Sequence, residues 1–312
     1  MTVNDWMLDS DPAIRWQVMR DLLDAPSATV EAERARIATE GWGAQLLDLQ
    51  GADGQWDGGT YRPGWADESK PFFDAWTATT FSLQQLRDFG LDPTSPRAQT
   101  AIALVRENAR WEATDTPFFE GETEPCINGM ALAIGAYFGE NVDGIVDRLV
   151  GEALPDGGWN CWAEYGAKVS SFHTTIDVLE GLLAWEHAGG ESDAVTGARR
   201  RGEEYLLERG LFRRLSDGDV IDPRFTLFSY PTRWYYDVLR SLDYFRATGQ
   251  SPDRRCAEAV QLVASKRDAA GFWNLENIHQ GPTHFELGEG EGSPSRWTTL
   301  RAMRVLRWWE EG

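Results

Sequence analysis

Apolar positions recur at helical spacing along most of the chain, and no segment sustains the period-two alternation of a half-buried strand, so the pattern predicts an all-α protein with no sheet of consequence. Residues 10–23 predict a capped amphipathic helix, with Asp11 or Ser10 as N-cap and Pro12 at the first helical position. A charged helix is expected over 30–40. From Gly41 the chain repeats itself. A helix over 45–49 ends in Gln50-Gly51-Ala52-Asp53-Gly54-Gln55-Trp56; after a loop, Phe73-Asp74-Ala75-Trp76-Thr77 opens a second helix running to Phe89. The same syntax returns at Asp156-Gly157-Gly158-Trp159 with His173-Thr174, and at Ala270-Gly271-Phe272-Trp273 with Trp297-Thr298. Two further units lack the Gly-Trp turn and keep the second helix, one entering at Cys126 and one at Arg233-Trp234-Tyr235-Tyr236.

Helical hairpins that cannot bury their faces alone must stack. The second helices are rich in small and apolar residues, as in Ala131-Leu132-Ala133-Ile134-Gly135-Ala136, while the first helices, such as 198–208 and 252–266, are charged. An inner ring inside an outer ring is expected: an (α/α) toroid of about five to six hairpins, forming a single domain over 41–312, with residues 1–40 as an N-terminal helical extension.

Composition narrows the function. A formal charge of −20 argues against nucleic acid or an anionic membrane as main partner, since both need clustered Lys and Arg. No apolar run is long enough to cross a bilayer, and the N-terminus has neither a basic nor an apolar signal region, so a cytoplasmic protein without membrane insertion is expected. The 3 cysteines do not make a disulfide framework and fit a reducing compartment, where Cys serves packing, metal binding or catalysis. The 15 tryptophans supply packing mass and walls for bulky apolar or cationic ligands.

The turns at 50–56, 156–159 and 271–273 resemble the repeats of the squalene cyclase and protein prenyltransferase superfamily (terpenoid cyclase-like proteins) over 41–312. In such a ring the loops entering the inner helices converge at one mouth, where helix N-termini favour thiolates and other anions. Cys126, Cys161 and His173 open or precede such helices, with Glu124 beside them. His173 stands before Thr174 where Trp76 and Trp297 stand before Thr77 and Thr298. Taken singly, each is equally a packed or hydrogen-bonded interior residue. Together they resemble the zinc site of the prenyltransferase catalytic subunit, in which Asp-x-Cys opens one inner helix and His-Thr the next: Cys126 and His173 match, Glu124 replaces Asp, and Cys161 has no counterpart. The resemblance implies zinc held by Cys126 and His173; Cys161 is preferred to Glu124 as third ligand, which leaves Glu124 as a candidate catalytic group.

The chain departs from that family where Phe118-Phe119-Glu120-Gly121-Glu122 replaces basic residues that would hold a diphosphate. Phosphate contacts would fall to Lys168, Arg213, Arg214, Arg233 or Arg240, each of which reads first as solvated surface charge. No Asp-x-Asp-Asp motif of a cyclase occurs, which leaves Asp74 as candidate acid or as a plain helix N-terminal carboxylate. Trp76, Trp159, Trp162, Phe172, Tyr230, Arg233, Trp234 and Trp297 are candidate pocket residues and equally candidate core. His279 and His284 flank a Gly- and Glu-rich loop that could lid the mouth; His187 and Cys256 read as structural. The leading expectation is a zinc-dependent enzyme acting on an apolar small molecule, isoprenoids among them. The alternatives are a metal-free terpene cyclase-like enzyme using carboxylates and aromatic walls, and a non-catalytic binding protein for a hydrophobic ligand.

Overall fold

The computed structural model describes residues 2–67, 69, 75–288 and 290–312 and contains no β-strand among them. Its helices are α1 (Val3–Leu8), α2 (Pro12–Asp21), α3 (Ser27–Ala35), α4 (Gly41–Asp48), α5 (Thr79–Phe89), α6 (Pro96–Asn108) and α7 (Pro125–Phe138), then α8 (Asp143–Gly151), α9 (Phe172–His187), α10 (Asp193–Leu207), α11 (Val238–Ala247), α12 (Ala257–Ser265) and α13 (Arg296–Glu311). None of them is long and apolar enough to cross a membrane. The expected start of α2 is realised: Asp11 is the N-cap, its carboxylate accepts from the Ala13 amide, and Pro12 needs no donor there. Two starts fall later than the sequence pattern suggests. The helix after Trp56 begins at Thr79, and Phe73 and Asp74 lie outside the described residues. The run 233–236 is non-helical: Arg233 has φ 55°, and α11 begins only once Asp237 caps the Arg240 amide at 2.8 Å.

The chain divides into two compact units, one of Met1–Glu33, Glu204–His279 and Glu286–Gly312, the other of Arg34–Glu203 and Gln280–Phe285.

The repeat extends to its hydrogen bonds. In each of three hairpins the turn tryptophan donates its indole N–H to a carbonyl ten residues earlier: Trp56 to Leu46, Trp159 to Leu149 and Trp273 to Val263, each at 2.7 Å. Its backbone amide bonds a threonine hydroxyl of the second helix: Thr79 at 3.2 Å, Thr175 at 3.1 Å and Thr299 at 3.0 Å. The glycine two places before the tryptophan adopts positive φ, 79° at Gly54, 103° at Gly157 and 98° at Gly271, a conformation that costs a side-chain-bearing residue. The motif therefore spends its tryptophan on joining helix, turn and helix. All three indoles are buried at 0–1% exposure, which makes Trp159 a scaffold residue of its hairpin.

Inside the second unit α7 lies along α9 at a separation only glycine permits. A Cβ on Gly129 would stand 2.5 Å from the Asp177 carbonyl carbon, and one on Gly181 2.6 Å from the Gly129 carbonyl oxygen. The small-residue pattern of the second helices is thus a close-packing pattern.

The first unit buries charge. Asp243 of α11 accepts from Arg246 Nε at 2.9 Å and Arg304 Nε at 2.8 Å, with Arg301 Nε 3.4 Å away. Arg304 also donates to Gln17 at 3.1 Å and Asp21 at 3.4 Å, tying α2 to α13. Burial alone would raise the Asp243 carboxyl, but the guanidiniums of Arg304, Arg246 and Arg301 outweigh it and hold the group far below the usual carboxylate range. The N-terminal helices are therefore keyed into this unit, and Trp6 adds a ring contact to Phe272 at 4.7 Å.

Candidate functional site

The approach to α7 is fastened before the helix begins. Asn128, from its first turn, accepts the Glu122 amide at 2.7 Å and returns its side-chain amide to the Glu122 carbonyl at 2.7 Å. Arg148 of α8 clamps the carbonyls of Glu122 and Thr123 at 2.7 and 2.8 Å. The Glu122 carboxylate accepts the Glu124 amide at 2.7 Å. Glu124 occupies the N-cap position of α7 without making a side-chain cap bond, so its carboxylate is not spent on the helix end. Cys126, in the first turn, sits where the free amides and dipole of a helix favour a thiolate.

The second cysteine comes from the turn–loop junction. Trp159 is locked by Leu149 and Thr175, and Cys161 follows two residues later. Its backbone amide bonds Thr174 Oγ1 at 3.3 Å, and the same hydroxyl lies 3.3 Å from the Cys161 sulfur. These anchors bring Cys126 and Cys161 to a Cα–Cα separation of 6.3 Å across 35 residues of sequence, and the two are joined by a disulfide. The expectation that the cysteines remain unpaired is overturned for this pair; Cys256 alone stays free and buried. Two locally rigid elements, each held by its own backbone bonds, present the sulfurs to each other.

Glu124 completes the group. One ligand atom from each of Glu124, Cys126 and Cys161 lies within 4.8 Å of the other two, and Glu124 Oε2 is 3.6 Å from Cys126 Sγ. Partial burial, then the negative charge of Glu122 and Glu164, raise the Glu124 carboxyl above its ordinary value. His173 stands half-buried in the first turn of α9 and is not part of this three-residue group; its neighbour Thr174 touches Cys161.

The clamp also corrects one register. Counting back from the bonded threonine, His173 and Trp297 are equivalent, each two residues before it, but in the first repeat that place belongs to Thr77 and not to Trp76. Trp76 is buried instead beneath the 280–285 segment, donating its indole to the Gln280 carbonyl at 2.8 Å and its amide to the Pro282 carbonyl at 2.9 Å. His284 secures that segment through Nε2, 3.0 Å from the Thr77 carbonyl; a carbonyl only accepts, so Nε2 carries the proton.

The candidate pocket residues separate. Trp162 is 69% exposed beside Cys161, with Tyr165 81% exposed and their ring centroids 5.8 Å apart. Phe172 is buried in the first turn of α9. Tyr230, Arg233, Trp234 and Trp297 belong to the first unit: Tyr230 stacks on Trp297 at 4.3 Å and Trp234 on Tyr235 at 3.8 Å. His279 covers the other side of this stack, 3.9 Å from Tyr235, with Nε2 3.2 Å from Ser229 Oγ. Of the basic residues considered for phosphate, Arg213 pairs with Glu258, and Arg214 pairs with Asp217 at 3.3 Å and Asp219 at 3.2 Å. Arg233 and Arg240 are each 2% exposed, which corrects their reading as surface charge; Arg240 donates to the Tyr235 carbonyl at 2.8 Å. Asn128 and Arg148, which set the position of Cys126 through the Glu122 and Thr123 backbone, carry no motif that marks them in the sequence. Comparison of the chain with protein-family models and with curated proteins finds no match in either.

Proposed function

We propose that the protein is a zinc-dependent enzyme of the squalene cyclase and prenyltransferase-like class, acting on an apolar small molecule at the Glu124–Cys126–Cys161 cluster in its dithiol form. The observation that carries this reading is the convergence of one carboxylate and two sulfurs within 4.8 Å. The donor set suits a borderline-soft divalent ion: thiolate sulfur and carboxylate oxygen are ordinary zinc ligands, and three protein ligands leave a position for substrate. Glu124, Cys126 and Cys161 would hold the metal. Zinc bound there supplies Lewis acidity toward a thiol or an oxygen of the substrate.

The chain's own groups have definite tasks in this reading. The α7 N-terminus faces Cys126, Thr174 holds Cys161 toward the cluster, and Glu124, the one oxygen donor of the three, would give the ion a carboxylate ligand. Trp162 and Tyr165 offer apolar area to a ligand entering beside Cys161.

The test is elemental analysis of the full chain after complete reduction and zinc loading. About one zinc per chain is expected, retained in Trp162→Ala and lost in Cys126→Ser and Cys161→Ser. A fully reduced wild-type chain that holds no zinc defeats the reading.

A further inference from the structure

We infer that Cys126 and Cys161 form a reversible redox switch, in which a peroxide converts the metal-holding dithiol into the disulfide and so expels the metal; this rests on the zinc reading above. Two bonded sulfurs have no thiolate charge left for a metal, so the disulfide and the zinc-bound pair exclude one another. Both states use the same backbone. The Cα–Cα separation of 6.3 Å falls within the range a disulfide accepts, about 4.4–6.8 Å. Two thiolates on one tetrahedral zinc, with bonds of about 2.3 Å, stand roughly 3.8 Å apart, so the change is a rotation of two side chains. The anchors that place the cysteines, Asn128 and Arg148 on one side and Thr174 on the other, are intact with the bridge formed.

The chemistry balances with hydrogen peroxide as oxidant. One cysteine thiolate attacks a peroxide oxygen, the O–O bond breaks, and the sulfur becomes a sulfenic acid as hydroxide leaves and takes a proton from solvent. The second thiolate attacks that sulfur, the S–S bond forms, and the sulfenic oxygen departs as hydroxide, which a second solvent proton converts to water. In sum two zinc-bound thiolates, one hydrogen peroxide and two protons from solvent give one disulfide and two waters, and the zinc ion leaves unreduced. A small dithiol reverses the step by exchange, becoming the oxidised partner.

The third cysteine shows why the reaction is confined to this pair. Cys256 is wholly buried, and burial, with Asp253 nearby, pushes its thiol up to about 12, so it offers neither access nor thiolate. Cys161 is half-buried at the start of a loop whose Trp162, Tyr165 and Val169 are 69%, 81% and 63% exposed.

The experiment treats the reduced, zinc-loaded full chain with one equivalent of hydrogen peroxide, reading zinc with a chromophoric chelator, thiols in denaturant, and intact mass. Zinc release should accompany loss of two of the three thiols and of two hydrogens in mass, and dithiothreitol should restore thiols and zinc binding. Cys256→Ser should behave in the same way with one thiol fewer. Zinc that peroxide fails to release, or thiols that pass to sulfinic acid and cannot be recovered, overturns the switch while leaving the zinc reading standing. A reduced chain that binds no zinc defeats both.

Discussion

Replacing Gly129 by alanine isolates the cost of the α7–α9 approach. Alanine in a helix interior is favoured over glycine by about 1 kcal/mol, so on propensity alone the variant would gain stability. The new Cβ, however, would stand 2.5 Å from both the carbonyl carbon and oxygen of Asp177 and 2.6 Å from the Val178 amide nitrogen. These are backbone atoms of a helix and cannot rotate aside. Restoring ordinary contact requires the helices to part by roughly 1 Å, and such a gap forfeits a quarter to a half of each contact along the seam. Overpacking of this kind costs about 1–3 kcal/mol or more, and here the upper part applies because Gly181 meets the same seam from the other side. The net expectation is a loss of about 2 kcal/mol, or roughly 3 °C in thermal midpoint. The control is Gly197→Ala in α10, where the nearest atom to a new Cβ is the flexible end of Arg201 at 3.6 Å; there the propensity gain of about 0.5–1 kcal/mol should appear almost undiminished. Circular dichroism melts of the two variants and wild type decide the matter. A Gly129→Ala protein as stable as Gly197→Ala would refute the argument from backbone proximity.

Trp159→Phe removes the bond to the Leu149 carbonyl and part of a fully buried ring, and should cost about 2–4 kcal/mol in urea unfolding; Trp56→Phe and Trp273→Phe should fall in the same range, since their clamps share one geometry. Asp243→Asn removes the carboxylate charge that Arg301 and Arg304 face, with Asp21 still paired to Arg304, and should cost about 3–5 kcal/mol by the same measurement. The Asp243 carboxyl is depressed on folding, so the stability it lends is complete above the unfolded-state value near 3.9 and is lost as pH falls below that toward the folded value. Urea midpoints between pH 7 and pH 3 should decline less steeply in Asp243→Asn than in wild type.

What could be read from the sequence follows how local the determinant is. Caps and turns depend on neighbours a few residues apart, so Asp11 and Pro12 announce α2, and each Gly-x-Trp turn announces its hairpin. The nearness of Cys126 and Cys161 was also readable, because the repeat places Cys126 at a helix entrance and Cys161 directly after a turn tryptophan. The rest depends on distant partners. Arg233 and Arg240 look like surface charge in any window of sequence, because nothing local marks the fold that buries them. The one-residue slip at Trp76 was hidden because two adjacent residues, Trp76 and Thr77, imitate the motif, and only the bond from Trp56 to Thr79 sets the count. Whether two neighbouring thiols stay apart or join is a matter of side-chain rotation, which spacing does not encode.

The tryptophan clamp fixes both ends of the segment that leaves the turn and re-enters the second helix, at separations of 23, 16 and 26 residues in the three hairpins. The scaffold is therefore indifferent to how much chain is spooled between those two points, since each doubling of a flexible loop costs only about 0.6 kcal/mol. Insertion and deletion can act in these segments without altering the hairpins that carry them. The shortest of the three carries Cys161, where slack would let the sulfur wander; the longest carries the 280–285 stretch that covers Trp76, so one spooled loop serves a second hairpin as its cover.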